Sequence, residues 1–260
     1  MNYHFKPCNI EDCKELIQEY VSMLQSPFDS FLEEHIVSSK FYLIKDNEEA
    51  VGYYAIFKNE LLTQFFLKAS MYSKSQEVLK QVLASHPVSS IFVPTCDEFM
   101  LSTVLDQDFK MTKQAYFFQD SQVPVSEDKL FQNGQLRKAE QVDAQQIIDV
   151  SQDFFDRLDE RIEAGEMFVF MNDHQLLGVG IIEISRLQCG YASVGMFVNE
   201  AFRKQGIGRT IIYRLKEWCY QNQITPICGC WYYNTNSKLT LESAGMVSKT
   251  RLLNFQVGRD

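Results

Sequence analysis

The sequence predicts an α/β (α+β) protein of two tandem halves, each a mixed, mostly antiparallel sheet flanked by helices, and three observations carry that reading. The chain has 260 residues, more than the roughly 100 to 200 of an ordinary single domain. A polar stretch at 119–134, QDSQVPVSEDKLFQNG, contains Pro124 and Gly134 and lacks apolar periodicity, so it reads as a linker. The segments on either side repeat one order of strand and helix signals, as a duplication with a period of about 130 residues would. The expected organisation is a first domain at 1–120, a linker at 121–134 and a second domain at 135–260.

The halves open alike. Phe5-Lys6-Pro7 is followed by Glu11-Asp12 and a helical pattern, and Leu136-Arg137-Lys138 by Asp143 and another. FYLIKDNEEAVGYYAIF at 41–57 then aligns without gaps on MFVFMNDHQLLGVGIIE at 167–183, with Gly52 falling on Gly178. Both spell strand, tight polar turn, strand. A further strand follows (61–67; 192–198), then a helix (75–84; 208–221), a strand (90–94; 226–232) and a short helix. Each half ends in strand-like sequence, at 112–118 and 250–257. A meander running into a β-α-β unit makes a sheet covered by helices. The aromatics Phe41, Tyr53, Tyr54, Phe57, Phe65 and Phe66 of the first half read as strand core.

A net charge of -9 repels a phosphate backbone and an anionic bilayer, so neither nucleic acid nor membrane is an expected partner. Any bound anion must meet a local basic patch. The seven cysteines lack disulfide-framework spacing. The start Met1-Asn2-Tyr3-His4 has no basic region leading into an apolar stretch. A reduced, cytoplasmic protein is expected. No apolar run approaches the roughly 20 residues of a membrane span.

Gly52 is the one glycine before Gly134, so only the second half can build a loop whose backbone must approach a ligand closely. In SVGMFVNEAFRKQGIGRTIIYRLKEW an apolar strand ends at Val198, a turn carries Gly206 and Gly208, and a helix follows with Ile211, Ile212, Leu215 and Trp218 on its apolar face. The first amides of a helix lack intrahelical acceptors and sit at the positive end of its dipole, so the N–H groups of Gln205, Gly206, Ile207, Gly208, Arg209 and Thr210 can hold a pyrophosphate. Glycine at 206 and 208 would let the anion approach. Arg203, Lys204, Arg209, Arg214 and Lys216 supply positive charge, and no acidic residue interrupts them between Ala201 and Lys216. There is no P-loop pattern, and Ile211 stands where a dinucleotide fingerprint needs glycine.

Arg203-x-x-Gly206-x-Gly208, after a strand ending in Val198, resembles the acetyl-CoA signature R/Q-x-x-G-x-G/A of GNAT acetyltransferases. CWYYNTNSKLTLESAGM at 230–246 resembles that superfamily's next block, a strand, Asn-x-x-Ser and a helix closing on Gly-Phe, here Gly245-Met246. The Cys-Trp-x-x-Asn-x-x-Ser form is similar to the zwittermicin-resistance type, which also has a poorly matching, degenerate N-terminal half. The resemblance implies acetyl-CoA as cosubstrate, no metal, and direct N-acetyl transfer to a primary amine of a small-molecule acceptor. It implies that backbone groups near Phe197 and Val198 bond the pantetheine arm, that an N–H near Val198 stabilises the oxyanion, and that Asn234 and Ser237 hold the arm's far side or cap the helix. Many members place a Tyr four residues before the closing Gly; here Leu241 stands there, so Tyr232, Tyr233 or solvent would protonate the thiolate. By the same resemblance, a GNAT-like first half would cover the surface through which single-domain relatives dimerise, which is compatible with a monomer.

The acceptor amine must lose a proton. Glu183 is the candidate base, because its strand VGIIEIS is otherwise apolar; the alternative is a solvent-facing strand position. The acidic helix at 153–166 either attracts a cationic amine or is a solvated face. Cys228 and Cys230 read as structural rather than nucleophilic, and His4, His35, His86 and His174 have no metal-ligand spacing. After Leu67 the first half offers KASMYSKSQ, without glycine, so one acyl-CoA per chain is expected. The competing reading is a catalytically silent acyl-CoA sensor or scaffold, and a third is protein-lysine acetylation, which needs an open groove.

Overall fold

The computed structural model describes residues 3–258. Met1 and Asn2 of the polar start lie outside the described residues, as do the last two residues and the side chain of Asp153. The elements in chain order are β1 (His4–Cys8), α1 (Lys14–Met23), α2 (Ser30–Val37), β2 (Lys40–Asp46), β3 (Glu49–Phe57), β4 (Leu61–Leu67), α3 (Ser75–Ser85), β5 (Ser90–Pro94), α4 (Glu98–Leu105) and β6 (Lys110–Asp120). The second series is β7 (Gln135–Lys138), α5 (Ala144–Ser151), α6 (Leu158–Glu163), β8 (Met167–Asn172), β9 (Gln175–Ile184), β10 (Tyr191–Val198), α7 (Ile207–Gln221), β11 (Thr225–Trp231), α8 (Thr235–Ser243) and β12 (Met246–Gln256). The chain forms two compact units that a single cut does not separate. Unit 1 is the chain up to Phe117, Arg186–Gln188 and the segment from Thr250 on; unit 2 is Phe118–Ser185 and Cys189–Lys249.

In unit 1, β1 to β4 form an antiparallel meander, β4 and β5 run parallel, and the C-terminal part of β12 pairs antiparallel with β5, Leu252 facing Pro94 and Gln256 facing Ser90. Successive strand residues point to opposite faces, so the neighbours Tyr53 and Tyr54, both fully buried, enter two different apolar clusters. One gathers under α3 and α4 around Val78, Leu79, Met100 and Phe65; the other gathers under α1 and α2 around Ile17, Phe28, Leu32 and Phe66. The buried Gln188 closes the second, donating to Phe28 O at 2.8 Å and accepting from Phe28 N at 3.1 Å.

In unit 2, β7 to β10 repeat the meander and β10 runs parallel to β11. Ile147 of α5 and Ile162 of α6 pack with Val169 of β8 and Val179 of β9. The apolar face of α7, with Ile211, Ile212 and Leu215 fully buried, lies on β9, β10 and β11.

Two local devices recur between the units. Each first strand ends in a 3-10 turn closed by an aspartate three residues on: Asp12 accepts from Asn9 N at 2.9 Å and Asp143 from Glu140 N at 2.8 Å. A side chain at Gly52 would strike the carbonyl of Phe66, and one at Gly178 the carbonyl of Phe197. The predicted linker is tied down rather than loose, since Phe131 N donates to Thr210 Oγ1 at 2.8 Å and Lys129 O accepts from Arg209 at 2.9 Å.

Candidate active site in the second unit

β10 and β11 pair at three positions only, Tyr191 with Thr225, Ala192 with Pro226 and Ser193 with Ile227. Beyond them the strands part, while β10 stays bonded to β9 as far as Val198 opposite Gly178. The open stretch of β10 is half-buried from Gly195 to Val198, and β11 is likewise half-buried at Gly229 and Cys230. Facing backbone groups of two diverging strands lie too far apart to bond each other, so an extended ligand can take their place.

β10 leads through a short turn into α7. Lys204 and Gly206 take left-handed conformations, φ 66° and 84°, and Gly206 is the N-cap. A glycine there removes the steric penalty of that backbone region. Gly208 has a different reason: a Cβ would lie 2.9 Å from Thr240 Cγ2 and 3.2 Å from Val198 Cγ2. It lets α8 pack against the first turn of α7. The first amides of α7 have no acceptor inside the helix. Thr210 is not among them, because its N–H donates to Gly206 O at 3.0 Å and its hydroxyl is shared between Gly206 O and Phe131 N.

The basic patch is smaller than the sequence suggested. Lys216 turns inward to a pair with Asp120 at 2.7 Å, both side chains 8% exposed, and Arg214 pairs with Glu217 at 2.7 Å. The acids come from outside the 201–216 window, which is why the linear pattern hid them. Arg203 donates to Val198 O at 3.3 Å, pairs with Glu200 at 3.2 Å and lies over the Phe197 ring. Arg209 meets only neutral acceptors, Lys129 O and Ser243 Oγ, and Lys204 is exposed with no ion pair among the described residues. Positive charge at this end therefore rests on Arg203, Lys204 and Arg209.

Asn234 caps α8, its Oδ1 accepting from Ser237 N at 3.0 Å, while among the described residues no partner engages the half-buried Ser237 hydroxyl. Leu241 is buried. Tyr232 stacks edge-on against Tyr233, which meets Trp231 in turn. Glu183 lies opposite Ser193, at the level where the strands part. It accepts from Arg161 at 2.8 Å, and the same guanidinium binds Glu166 at 3.0 Å and Asp156 at 2.9 Å. Burial lowers the Arg161 pKa, and Glu183 and Asp156 more than reverse it. Only Leu158–Glu163 of the predicted acidic helix is α-helical, and Asp159, Glu160 and Glu163 are exposed. Sequence reasoning overlooked Phe154 and Phe155, whose rings lie 5.1 and 6.3 Å from Phe197. Their signal was a pair of aromatics inside an acidic segment.

Comparison with known proteins decides the family. The family described as "Acetyltransferase (GNAT) domain" matches residues 9–121 and "Acetyltransferase (GNAT) family" matches 134–246. The chain carries two GNAT domains. The first is thus recognisable as a GNAT domain in its own right, where a poorly matching half was expected. A GNAT-family acetyltransferase from Colwellia psychrerythraea superimposes with a TM-score of 0.87 at 20% identity, covering 99% of this chain and 100% of that one. A tandem GNAT protein from the clavulanic acid biosynthesis pathway gives 0.64 at 10% identity and full coverage of both chains. A GCN5-related N-acetyltransferase from Sphaerobacter thermophilus gives 0.65 at 12%, covering 99% and 97%. At these identities the likeness is one of fold. Among curated proteins no relative matches. No helix of the described residues is long and apolar enough to cross a membrane.

Proposed function

We propose that the second GNAT domain transfers an acyl group, acetyl in the simplest case, from coenzyme A to the primary amine of a small molecule, in the cytoplasm. The observation that carries this is the parting of β10 and β11 directly beside the capped start of α7. A pantetheine arm lying along Phe197 and Val198 would bond the free backbone edge, and its pyrophosphate would meet the amides of Gln205 to Arg209 with Arg203, Lys204 and Arg209 around it. The Ser237 hydroxyl would bond the arm from the other side. The amine nitrogen attacks the thioester carbonyl, the carbon–sulfur bond breaks, the amine loses a proton and the thiolate gains one, leaving an amide and free coenzyme A. A backbone N–H near Val198 would hold the transient oxyanion. The Cys230-Trp231-x-x-Asn234-x-x-Ser237 block supports a kinship with the zwittermicin-resistance type.

Glu183 is our candidate base because it stands at the level where the cleft opens; Tyr232 is our candidate proton donor. Replacement of Glu183 by Gln is expected to lower turnover about 100-fold or more with little change in acyl-CoA affinity. Unchanged turnover removes it from the mechanism. A second reading, a catalytically silent acyl-CoA-binding protein, is favoured by the Arg161 clamp on Glu183 and by the buried Leu241. Titration of acetyl-CoA combined with thiol release over an amine panel separates the two. Binding with thiol release supports transfer, binding without release supports the silent protein, and no binding overturns both.

A further inference from the structure

Cys8, the last residue of β1, and Cys13, which ends the 3-10 turn before α1, bring their sulfurs to 3.4 Å of each other. Both are free thiols. The turn between them is pinned twice, by Asn9 N donating to Asp12 at 2.9 Å and by Asp12 N donating to Asn9 O at 3.1 Å, so the backbone itself sets the approach of the sulfurs. Unit 2 shows what these positions need for folding. Aligning the two turns on Asp12 and Asp143 sets Ala139 opposite Cys8 and Ala144 opposite Cys13. A buried cysteine commonly serves as a small apolar side chain, but alanine already serves at both places in the repeat. The fold therefore does not account for the contact between sulfurs.

The two thiols differ in access. Cys8 is half-buried and lines a surface cleft of about 300 Å³ together with Ile10, Lys40 and Tyr42. Cys13 is 1% exposed and belongs to the apolar cluster that includes Leu16, Ile17 and Tyr20 of α1. A small oxidant reaches Cys8 through the cleft, and Cys13 stands behind it as the second thiol. Burial raises the Cys8 pKa, opposed by Cys13, the Leu43 backbone and Lys6; burial, Cys8 and Asp12 all raise that of Cys13. Neither sulfur is held as a thiolate, so attack on an oxidant is slow. By the same token the pair lacks the thiolate stabilisation that keeps a low-pKa dithiol reduced.

We propose that Cys8 and Cys13 are a redox-active dithiol that hydrogen peroxide converts to an intramolecular disulfide. The Cys8 sulfur attacks one peroxide oxygen, the oxygen–oxygen bond breaks, one water departs and Cys8 becomes a sulfenic acid. The Cys13 sulfur then attacks the Cys8 sulfur, the sulfur–oxygen bond breaks and a second water departs. In all, two thiols give up two electrons and two protons, and the peroxide takes them up. The sulfurs have to close by about 1.4 Å to reach a disulfide length of about 2.0 Å, and the product ties the end of β1 to the start of α1. The pair lies in unit 1 and does not rest on the acyl-transfer reading of unit 2.

The test exposes the folded full chain to millimolar hydrogen peroxide, alkylates the remaining thiols in urea and weighs the tryptic peptide from Met1 to Lys14. That peptide holds both cysteines, because trypsin does not cut between Lys6 and Pro7. It is expected without alkylation and about 2 Da lighter than the dithiol, with both cysteines alkylated once dithiothreitol has reduced it. Cys13→Ala removes the second thiol, so Cys8 should pass on to sulfinic acid, about 32 Da heavier. Cys8→Ala should leave Cys13 unoxidised. The wild-type mass decides the matter if a variant misfolds. Alkylation of both cysteines after peroxide has oxidised the exposed Cys189, a bond from either to another cysteine, or a disulfide that forms only when urea is present during oxidation overturns the proposal.

Discussion

The two units share one device and line it differently. In each, two parallel strands pair for two or three residues and then part, β4 from β5 and β10 from β11. In unit 2 the next segment is a glycine turn with Gly206 at φ 84° that carries Arg203, Lys204 and, in the first turn of α7, Arg209. In unit 1 the equivalent segment, Ala69–Lys74, is a 3-10 turn without glycine that consumes its own amides; Met71 N, for example, donates to Lys68 O at 2.8 Å. Its opening is lined by rings and a buried acid instead. In both units the strands diverge after a short parallel pairing, and what differs is the segment that follows the first strand of the pair.

The sharpest way to break this comparison is at Gly206. Gly206→Glu adds a negative charge and a Cβ at a left-handed position, and acetyl-CoA affinity should fall by more than about 100-fold. Calorimetry should find one acetyl-CoA per wild-type chain and none for the variant; two per wild-type chain would mean that unit 1 also takes the cofactor. Next comes the buried Lys216–Asp120 pair, where Lys216 also donates to Ala244 O at 3.1 Å. Burial raises the Asp120 pKa, and Lys216, Tyr220 and the Gln122 amide more than reverse it, holding the carboxyl below its usual range. Asp120→Ala strands the ammonium and should cost about 3 to 5 kcal/mol in urea unfolding.

A smaller effect, of opposite sign in pH, belongs to unit 1. Burial pushes the Asp97 carboxyl from 3.8 up to about 6, against the Met100 amide and the Tyr20 hydroxyl. A folded pKa raised above the unfolded one gives stability that is present below the unfolded value and lost as pH rises through the folded value. Wild type should therefore lose about 2 kcal/mol relative to Asp97→Asn between pH 4 and 7. Neighbouring Tyr20, Tyr53, Tyr72 and Cys96 are all pushed upward by burial and stay neutral in that window. A pH-independent difference between the two unfolding curves would mean that Asp97 is not buried as described. The smallest effect is expected at Arg209, whose guanidinium already meets neutral acceptors. Arg209→Ala should weaken acetyl-CoA by about 1 kcal/mol, with a shallower salt dependence of the titration.

Most elements were legible because they rest on local periodicity. β4 and β5 fall on the predicted residues, 61–67 and 90–94, and α7 starts one residue before its predicted first position. The equivalence of Gly52 and Gly178 was legible too, from an ungapped alignment, and both glycines meet the carbonyl of a phenylalanine on the neighbouring strand. The basic patch was only half legible: a window of sequence shows charges but not the direction of side chains, and α7 turns Lys216 toward Asp120, nearly a hundred residues away in the chain. Asp97 gave no linear signal, because an aspartate before a short helix reads as an ordinary cap.

By itself, then, the sequence determined the two GNAT halves, the order of their strands and helices, and the glycine turn before α7, since each follows from local pattern and backbone preference. Tertiary structure alone decided which carboxylates are clamped or buried, as Glu183 by Arg161 and Asp97 at the start of α4. It also decided where parallel strands stop pairing and which unit receives the chain from Thr250 on. These outcomes depend on desolvation and on partners distant in the chain, and neither is written in the spacing of neighbouring residues.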